Sequence, residues 1–224
     1  MTLSKIKAIL RSKDYKVFYR PYELNIVGLR SKNTTPNTFD DEFHIFYIDE
    51  FKKWHYHVFK GTTDPGTFWL RNPEFPKGTA ILKAGQYVDA YQIGYHKGSR
   101  PGLIQAGPVT VIRDFDRDDY LDFKGKKEET GHFGINIHGP SEKSGEKYVD
   151  KDSAGCQVPM YNVDHIKLMT LAERHRQIYG NKFTYTLIDF RAARRLTRLR
   201  IAMALSLIAA IGSVHFTFNK SKNQ

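Results

Sequence analysis

The sequence predicts a mainly β domain with one packed α-helix, followed by a hydrophobic helix near the C-terminus. The chain has 224 residues, of which 40% are hydrophobic and 13% aromatic, so it contains enough apolar material for a core. Short segments rich in β-branched and aromatic residues alternate with clusters of Gly, Pro, Asn and Asp. One other segment has helical periodicity, and an 18-residue apolar run lies close to the C-terminus.

Eight segments are predicted as strands because β-branched and aromatic residues dominate them and turn-forming residues separate them. They are Leu24–Leu29, Phe43–Ile48, Trp54–Phe59, Ala80–Lys83, Tyr87–Ile93, Val109–Phe115, His132–His138 and Phe183–Phe190. The separating clusters include SKNTTPN, GTTDPGT, NPEFPKG and GSRPG. His132 lies at an even offset from His138, so the two side chains are expected on one face of the seventh strand.

The best helical pattern is Val163–Tyr179, with Asn162 placed to cap its start and Gly180 to end it. The residues expected on its apolar face are Val163, Ile166, Met169, Leu171 and Ile178. A short amphipathic helix is also expected for Thr2–Arg11. These elements predict an N-terminal segment over residues 1–23, a domain over 24–190 and a separate C-terminal segment over 191–224.

The basic charge of the chain is concentrated in its C-terminal segment. The formal net charge is +11, but residues 191–224 contain seven Lys or Arg and no acidic residue. The remaining 190 residues carry 28 basic and 24 acidic side chains, which is a modest excess. The sequence has no nucleic-acid-binding motif, so nucleic acid is not the expected partner.

The apolar run Ile201–Phe218 is predicted to be a membrane anchor, because 18 helical residues rise about 27 Å, close to the thickness of the hydrocarbon core. Five Arg precede the run and two Lys follow it. This charge favours the cytoplasmic face of a bacterial inner membrane for the preceding domain, and the N-terminus has no signal-peptide pattern. An inverted topology, a buried core helix and an amphipathic surface helix are the alternatives.

Cys156 is the one cysteine of the chain, so an internal disulfide and a multi-cysteine metal site are excluded. It follows Ser153, Ala154 and Gly155, small residues that allow a substrate to approach the backbone and N–H groups to converge on an oxyanion. His138 precedes it at the end of a predicted strand. A histidine there is able to take the thiol proton and hold a thiolate–imidazolium pair, with the carbonyl of Gly139 orienting the ring.

The pair His138-Gly139 and the run Ser153-Ala154-Gly155-Cys156, with 14 residues between His138 and Ser153, resemble the active-site motif of the L,D-transpeptidase (YkuD-type) catalytic domain. The segments TTDPGTFWLRNP, GTAILKAGQY, HFGINIHG and DSAGCQV also resemble small phage-associated proteins of this type. The sequence departs from the family pattern where Ala154 replaces a second His and where Gln157-Val158 follows the cysteine. The resemblance implies a YkuD-like β-sandwich or barrel over residues 24–190.

The resemblance also implies roles for individual residues. Cys156 would be the nucleophile, His138 its general base, and Gly139 the residue that orients His138. Ser153 would brace the loop, and the N–H groups of Ala154, Gly155 and Cys156 would hold the oxyanion. The implied substrates are peptidoglycan stem peptides, cleaved by water or joined to a second stem. Hydrolysis is slightly favoured, as in a phage lysis or cell-wall remodelling enzyme.

Two further questions follow from the sequence. The first is whether the domain is catalytic, or is a membrane-associated wall-binding or structural domain with a degenerate active site. The second concerns calcium, because Asp114, Asp116, Asp118 and Asp122 have the spacing of part of a calcium loop. Asp119 stands where that loop needs glycine, which favours a solvated acidic hairpin. No other metal and no cofactor are expected, since the chain lacks an HExxH motif.

Overall fold

A computed structural model describes residues 1–123, 127–141 and 147–190, and over these ranges the fold is mainly β, as predicted. The larger sheet has eight strands: β1 (Asn25–Arg30), β2 (Asp41–Ile48), β3 (Trp54–Thr62), β5 (Gly85–His96), β6 (Arg100–Gln105), β9 (Ile137–His138), β10 (Val158–Pro159) and β11 (Phe183–Asp189). The smaller sheet has three: β4 (Thr79–Leu82), β7 (Val109–Asp114) and β8 (Glu128–Gly131). The helices are α1 (Leu3–Ser12), α2 (Thr67–Arg71) and α3 (Asn162–Tyr179).

The larger sheet is a nearly closed barrel with the strand order β10-β3-β2-β1-β11-β5-β6-β9. Its two edge strands meet at a single bridge between Ile137 and Gln157. There the N–H of Gln157 donates to the carbonyl of Asn136 over 2.8 Å, and the N–H of His138 donates to the carbonyl of Gln157 over 3.2 Å. The barrel therefore closes beside Cys156 and at His138 itself.

The core combines the barrel strands with one face of α3. Its fully buried aromatic residues include Phe43, Tyr91, Phe183 and Tyr185. Leu168 and Ala172 of α3 pack against the same cluster. The short N-terminal helix is present as predicted, with Thr2 as its N-cap and with Ile6 and Leu10 buried.

The predicted helix near residue 170 is confirmed, and it ends at Gly180, which has a φ of +86°. The predicted apolar face is confirmed at Leu171 and Met169, which pack in or against the core, and is wrong at Val163, Ile166 and Ile178, which are exposed. The residues that α3 buries are His165, Leu168, Leu171, Ala172 and His175. The aliphatic pattern does not predict this face because His175 is buried with both ring nitrogens bonded to backbone groups. Tyr161, rather than Asn162, holds the N-cap position.

The predicted strand His132–His138 is reduced to its last two residues, which form β9. The side chain of Gln105 replaces the strand-to-strand hydrogen bonds that this segment lacks, because its Oε1 accepts the N–H groups of Phe133 and Ile135. Gly134 lies between them with a φ of +70°, which interrupts an extended strand. His132 is consequently exposed and does not share a strand with His138.

The predicted membrane anchor Ile201–Phe218 and its basic flank lie outside the described residues. Within the described ranges, none of the helices combines the length and the apolar character needed to cross a bilayer.

Candidate active site

The closure of the barrel brings the two halves of the sequence motif together. His138 ends β9, and Cys156 lies in the loop immediately before β10. The Sγ atom of Cys156 and a ring nitrogen of His138 lie within 4.8 Å of each other. The Cys156 residue is only 6% exposed, and His138 is fully buried.

The ring of His138 has a defined orientation. Its Nδ1 lies 2.7 Å from the carbonyl oxygen of Gly139, and a carbonyl only accepts, so the proton is on Nδ1. The lone pair is therefore on Nε2, which is buried without a hydrogen-bond partner among the described residues. Gly139 is required because α3 packs on it: a Cβ added there would lie 2.7 Å from Nδ1 of His165.

The loop that carries Cys156 is held by Ser153. The Ser153 hydroxyl donates to the carbonyl of Cys156 over 2.7 Å and accepts the N–H of Gly155 over 3.1 Å. The N–H of Gly155 is thus occupied, whereas those of Ala154 and Cys156 make no hydrogen bond within the described part of the chain. Of the three N–H groups expected to hold an oxyanion, two remain open. Gly155 has a φ of +118°, and a side chain there would meet the carbonyl of Ala80.

Gln157, a departure from the family pattern, anchors the loop from behind. Its Nε2 donates to the carbonyls of Gly155, over 3.1 Å, and Thr63, over 3.3 Å. Its Oε1 accepts the hydroxyl of Tyr185 over 2.8 Å. The side chain is fully buried, so these three contacts fix the position of the cysteine loop against the barrel core.

Arg30 organises the buried polar layer next to Gln157. It is 1% exposed, and its guanidinium lies 2.7 Å from a carboxylate oxygen of Asp64. It donates to the hydroxyl and the carbonyl of Thr63 and to the carbonyl of Leu82. The same Thr63 carbonyl accepts from Gln157, so this buried cation is linked through one residue to the cysteine loop.

Burial disfavours the charged form of both groups. It raises the pKa of the Cys156 thiol to about 11, against a small opposing contribution from the backbone N–H of Asn136. Burial, with a second contribution from the nearby His96, lowers the pKa of His138 to about 3. Both directions oppose the resting thiolate–imidazolium pair expected from the sequence. At neutral pH the pair consists of a neutral thiol and a neutral imidazole.

Alkylation of Cys156 by iodoacetamide is therefore expected to increase by about tenfold per pH unit from pH 7 to pH 10, because only the thiolate reacts and its pKa is raised. Mass spectrometry of peptides from the labelled protein measures this rate at Cys156, the single cysteine, separately from label on Lys and His side chains. The control is the chain unfolded in guanidinium chloride, whose rate should level off above about pH 8.5. A plateau below pH 8 in the folded protein would contradict the raised pKa.

His96, the last residue of β5, is a third member of the site that the sequence did not single out. A ring nitrogen of each histidine and the Sγ of Cys156 lie within 4.8 Å of one another. The rings of His96 and His138 are stacked, with centroids 4.0 Å apart and planes 16° from parallel. A metal bound by histidine lies about 2 Å from the nitrogen, close to the ring plane. Two nearly parallel planes share no such point, so the trio does not fit a single metal ion.

The aspartates of the calcium-like segment do not form a metal cluster among the described residues. Asp114 instead accepts the N–H of Asp122 over 3.1 Å, and Asp118 accepts that of Tyr120. Asp119 pairs with Arg71 of α2. These local contacts hold Asp114, Asp118 and Asp119 in place.

Cys156 opens into a cavity of about 250 Å³ that is also lined by His96, Lys97 and Asp152. A second cavity of about 550 Å³ adjoins it and is lined by Phe75, Arg113 and the exposed His132 among others. The residues common to both cavities are Trp69, Glu74, Phe133 and Ala154. The two cavities therefore lie side by side next to Cys156.

Comparison with protein-family models, with curated proteins and with solved structures gave no match for this chain. The resemblance to L,D-transpeptidases therefore remains a hypothesis based on the motif.

Proposed function

We propose that the protein catalyses acyl transfer through a thioester on Cys156. The thiol of Cys156 donates to the carbonyl of Gly134 over 3.5 Å, and its Sγ lies within 4.8 Å of a ring nitrogen of His138. The observation that carries the proposal is this proximity to a histidine whose Nδ1–H is held by a backbone carbonyl and whose Nε2 has no hydrogen-bond partner among the described residues. This is the arrangement that a cysteine nucleophile and its general base require. Cys156 lines a cavity of about 250 Å³, so a substrate carbonyl has access to the thiol.

The reaction follows from the neutral state of the pair. As Sγ attacks the substrate carbonyl, the thiol proton moves to Nε2 of His138 and a tetrahedral oxyanion forms. Collapse of this intermediate expels the leaving amine, which takes the proton from His138, and leaves the acyl group on Cys156. Water or a second amine then attacks the thioester, with His138 again accepting the proton.

The proposed substrates are peptidoglycan stem peptides, and the support for them is the His138-Gly139 and Ser153–Cys156 motif. A cleft formed by two adjoining cavities also suits a peptide better than a small metabolite. Hydrolysis would make the protein a peptidase, and attack by a second stem would make it a cross-linking enzyme. Attachment to an inner membrane through residues 201–218, with a role in phage lysis, is part of the same hypothesis.

Incubation with purified stem peptides followed by acid quenching should give a protein adduct with the mass of the acyl fragment. The thioester is expected on wild type and absent from Cys156→Ala, and intact-mass spectrometry distinguishes them. Released or exchanged amino acids in the supernatant show whether water or an amine accepts the acyl group. A wild-type protein that forms no adduct and leaves the peptides unchanged would refute catalysis on this substrate.

The alternative is a wall-binding domain with a degenerate active site. The observation that favours it is the burial of both groups, which raises the pKa of Cys156 and lowers that of His138. Sedimentation with purified cell-wall sacculi tests it directly. Binding by wild type and Cys156→Ala alike, with no turnover by either, would replace the enzymatic proposal by this one.

A further inference from the structure

We propose that His96 is a catalytic residue that donates its Nε2–H to the oxyanion formed when Cys156 attacks a carbonyl. The inference rests on the proposed acyl transfer and adds a residue that the motif does not contain. His96 lies on β5, far from the motif in sequence, and it lines the same cavity as Cys156. One of its ring nitrogens lies within 4.8 Å of Sγ.

The hydrogen bonds of Asn136 define which nitrogen of His96 carries the proton. The Oδ1 of Asn136 accepts the N–H of Gln105 over 2.9 Å, so its Nδ2 is the atom that faces His96. That Nδ2 donates to Nδ1 of His96 over 2.9 Å. An acceptor Nδ1 in a neutral ring requires the proton to be on Nε2. The ring is neutral, because burial and the charges of Lys97 and Arg100 lower the pKa of His96 to about 4.

The oxyanion has a place for a side-chain donor such as the Nε2–H of His96, because one of the expected backbone donors is already bonded. The N–H of Gly155 is bonded to Ser153, so the backbone of the loop offers fewer donors than its sequence predicts. The Nε2–H of His96 makes no hydrogen bond with a described residue, and the ring borders the cavity. The stacked ring of His138 holds the plane of His96 while leaving the edge of the ring available. A fixed donor of this kind stabilises the charge that develops on the carbonyl oxygen.

Two reagents separate this role from a structural one. p-Nitrophenyl acetate acylates Cys156 through a tetrahedral oxyanion and releases p-nitrophenolate, whereas iodoacetamide alkylates the same thiol by displacement of iodide with no oxyanion. For His96→Phe, which keeps a flat ring but removes the N–H, the acylation burst should slow by about 10²–10³-fold. Alkylation should stay within about threefold of wild type. His96→Gln, which restores an N–H, should recover most of the acylation rate, and His55→Phe, on β3 and lining neither cavity, should change neither.

Each alternative outcome has a distinct meaning. Equal losses with both reagents in His96→Phe would show that His96 acts by positioning His138, and unchanged acylation would show that it has no role. Either result overturns this inference alone. Equal acetylation of wild type and Cys156→Ala would instead refute the proposed function itself. Should His96→Phe fail to fold, ¹⁵N NMR of the wild-type imidazoles decides the point, because a proton on Nδ1 of His96 would overturn the proposal.

Discussion

Replacing Cys156 by serine is expected to lower acyl transfer to stem peptides at least about 10³-fold, because a hydroxyl is a far weaker nucleophile than a thiol beside the same imidazole. His138→Gln should lose about 10²–10⁴-fold, since the amide accepts no proton from the thiol. The turnover of stem peptides, followed by chromatography of the products, measures both. Circular dichroism at equal concentration verifies that the variants are folded.

The double variant Cys156→Ser/His138→Gln tests whether the two residues act together. If Cys156 and His138 act as one unit, removing both should cost no more than removing Cys156 alone. The matched control is His55→Gln, because His55 lies on β3 and lines neither cavity. Losses that multiply in the double variant would mean that the two residues act independently, and the proposed proton transfer between them would then be wrong.

An Arg30→Ala variant is expected to lose about 3–5 kcal/mol of unfolding free energy, because breaking a buried ion pair leaves its partner charge uncompensated. Asp64 faces the guanidinium, and the buried Asp41 depends on the same positive charge, which opposes the burial that raises its pKa. Urea titration followed by fluorescence measures the loss. The Thr63 carbonyl would lose one of its donors, so the cysteine loop should become less ordered as well.

The control for this variant is Arg176→Ala. Arg176 also forms an ion pair, with Glu173 over 2.7 Å, but the two side chains are 46% and 41% exposed. Exposed pairs contribute about 0–1 kcal/mol. Equal losses in the two variants would show that the burial of Arg30 does not determine its contribution.

The strands that could be predicted from sequence are those whose own side chains enter the core, such as β1, β2 and β11. The three strands that the sequence did not predict are β6, β8 and β10. They contain Gly, Pro or acidic residues, and they are strands because neighbouring strands pair with them. Pro101, for example, was assigned to a turn, yet it pairs with Tyr95 after a turn at residues 97–99. Such pairing depends on the whole sheet, which local propensity does not contain.

The predicted site residues belong to one sequence motif, and closure of the barrel brings the two halves of that motif together. His96 was missed because it is 42 residues from His138 in sequence, and only the pairing of β5 with β6 and of β6 with β9 brings them together. The protonation states of Cys156 and His138 could not be predicted from the sequence either. A cysteine near a histidine suggests an ion pair, whereas burial of both groups favours their neutral forms.

The closure of the barrel at two backbone hydrogen bonds has a consequence for how this protein loses activity. β9 and β10 have two residues each, so the seam between them involves far less buried surface than the central strands. Local opening of such a segment requires less free energy than global unfolding. Deuterium should therefore enter at the amides of His138 and Gln157 earlier than at those of β1 and β11. Mild heating would then separate nucleophile from base while most of the sheet is still intact.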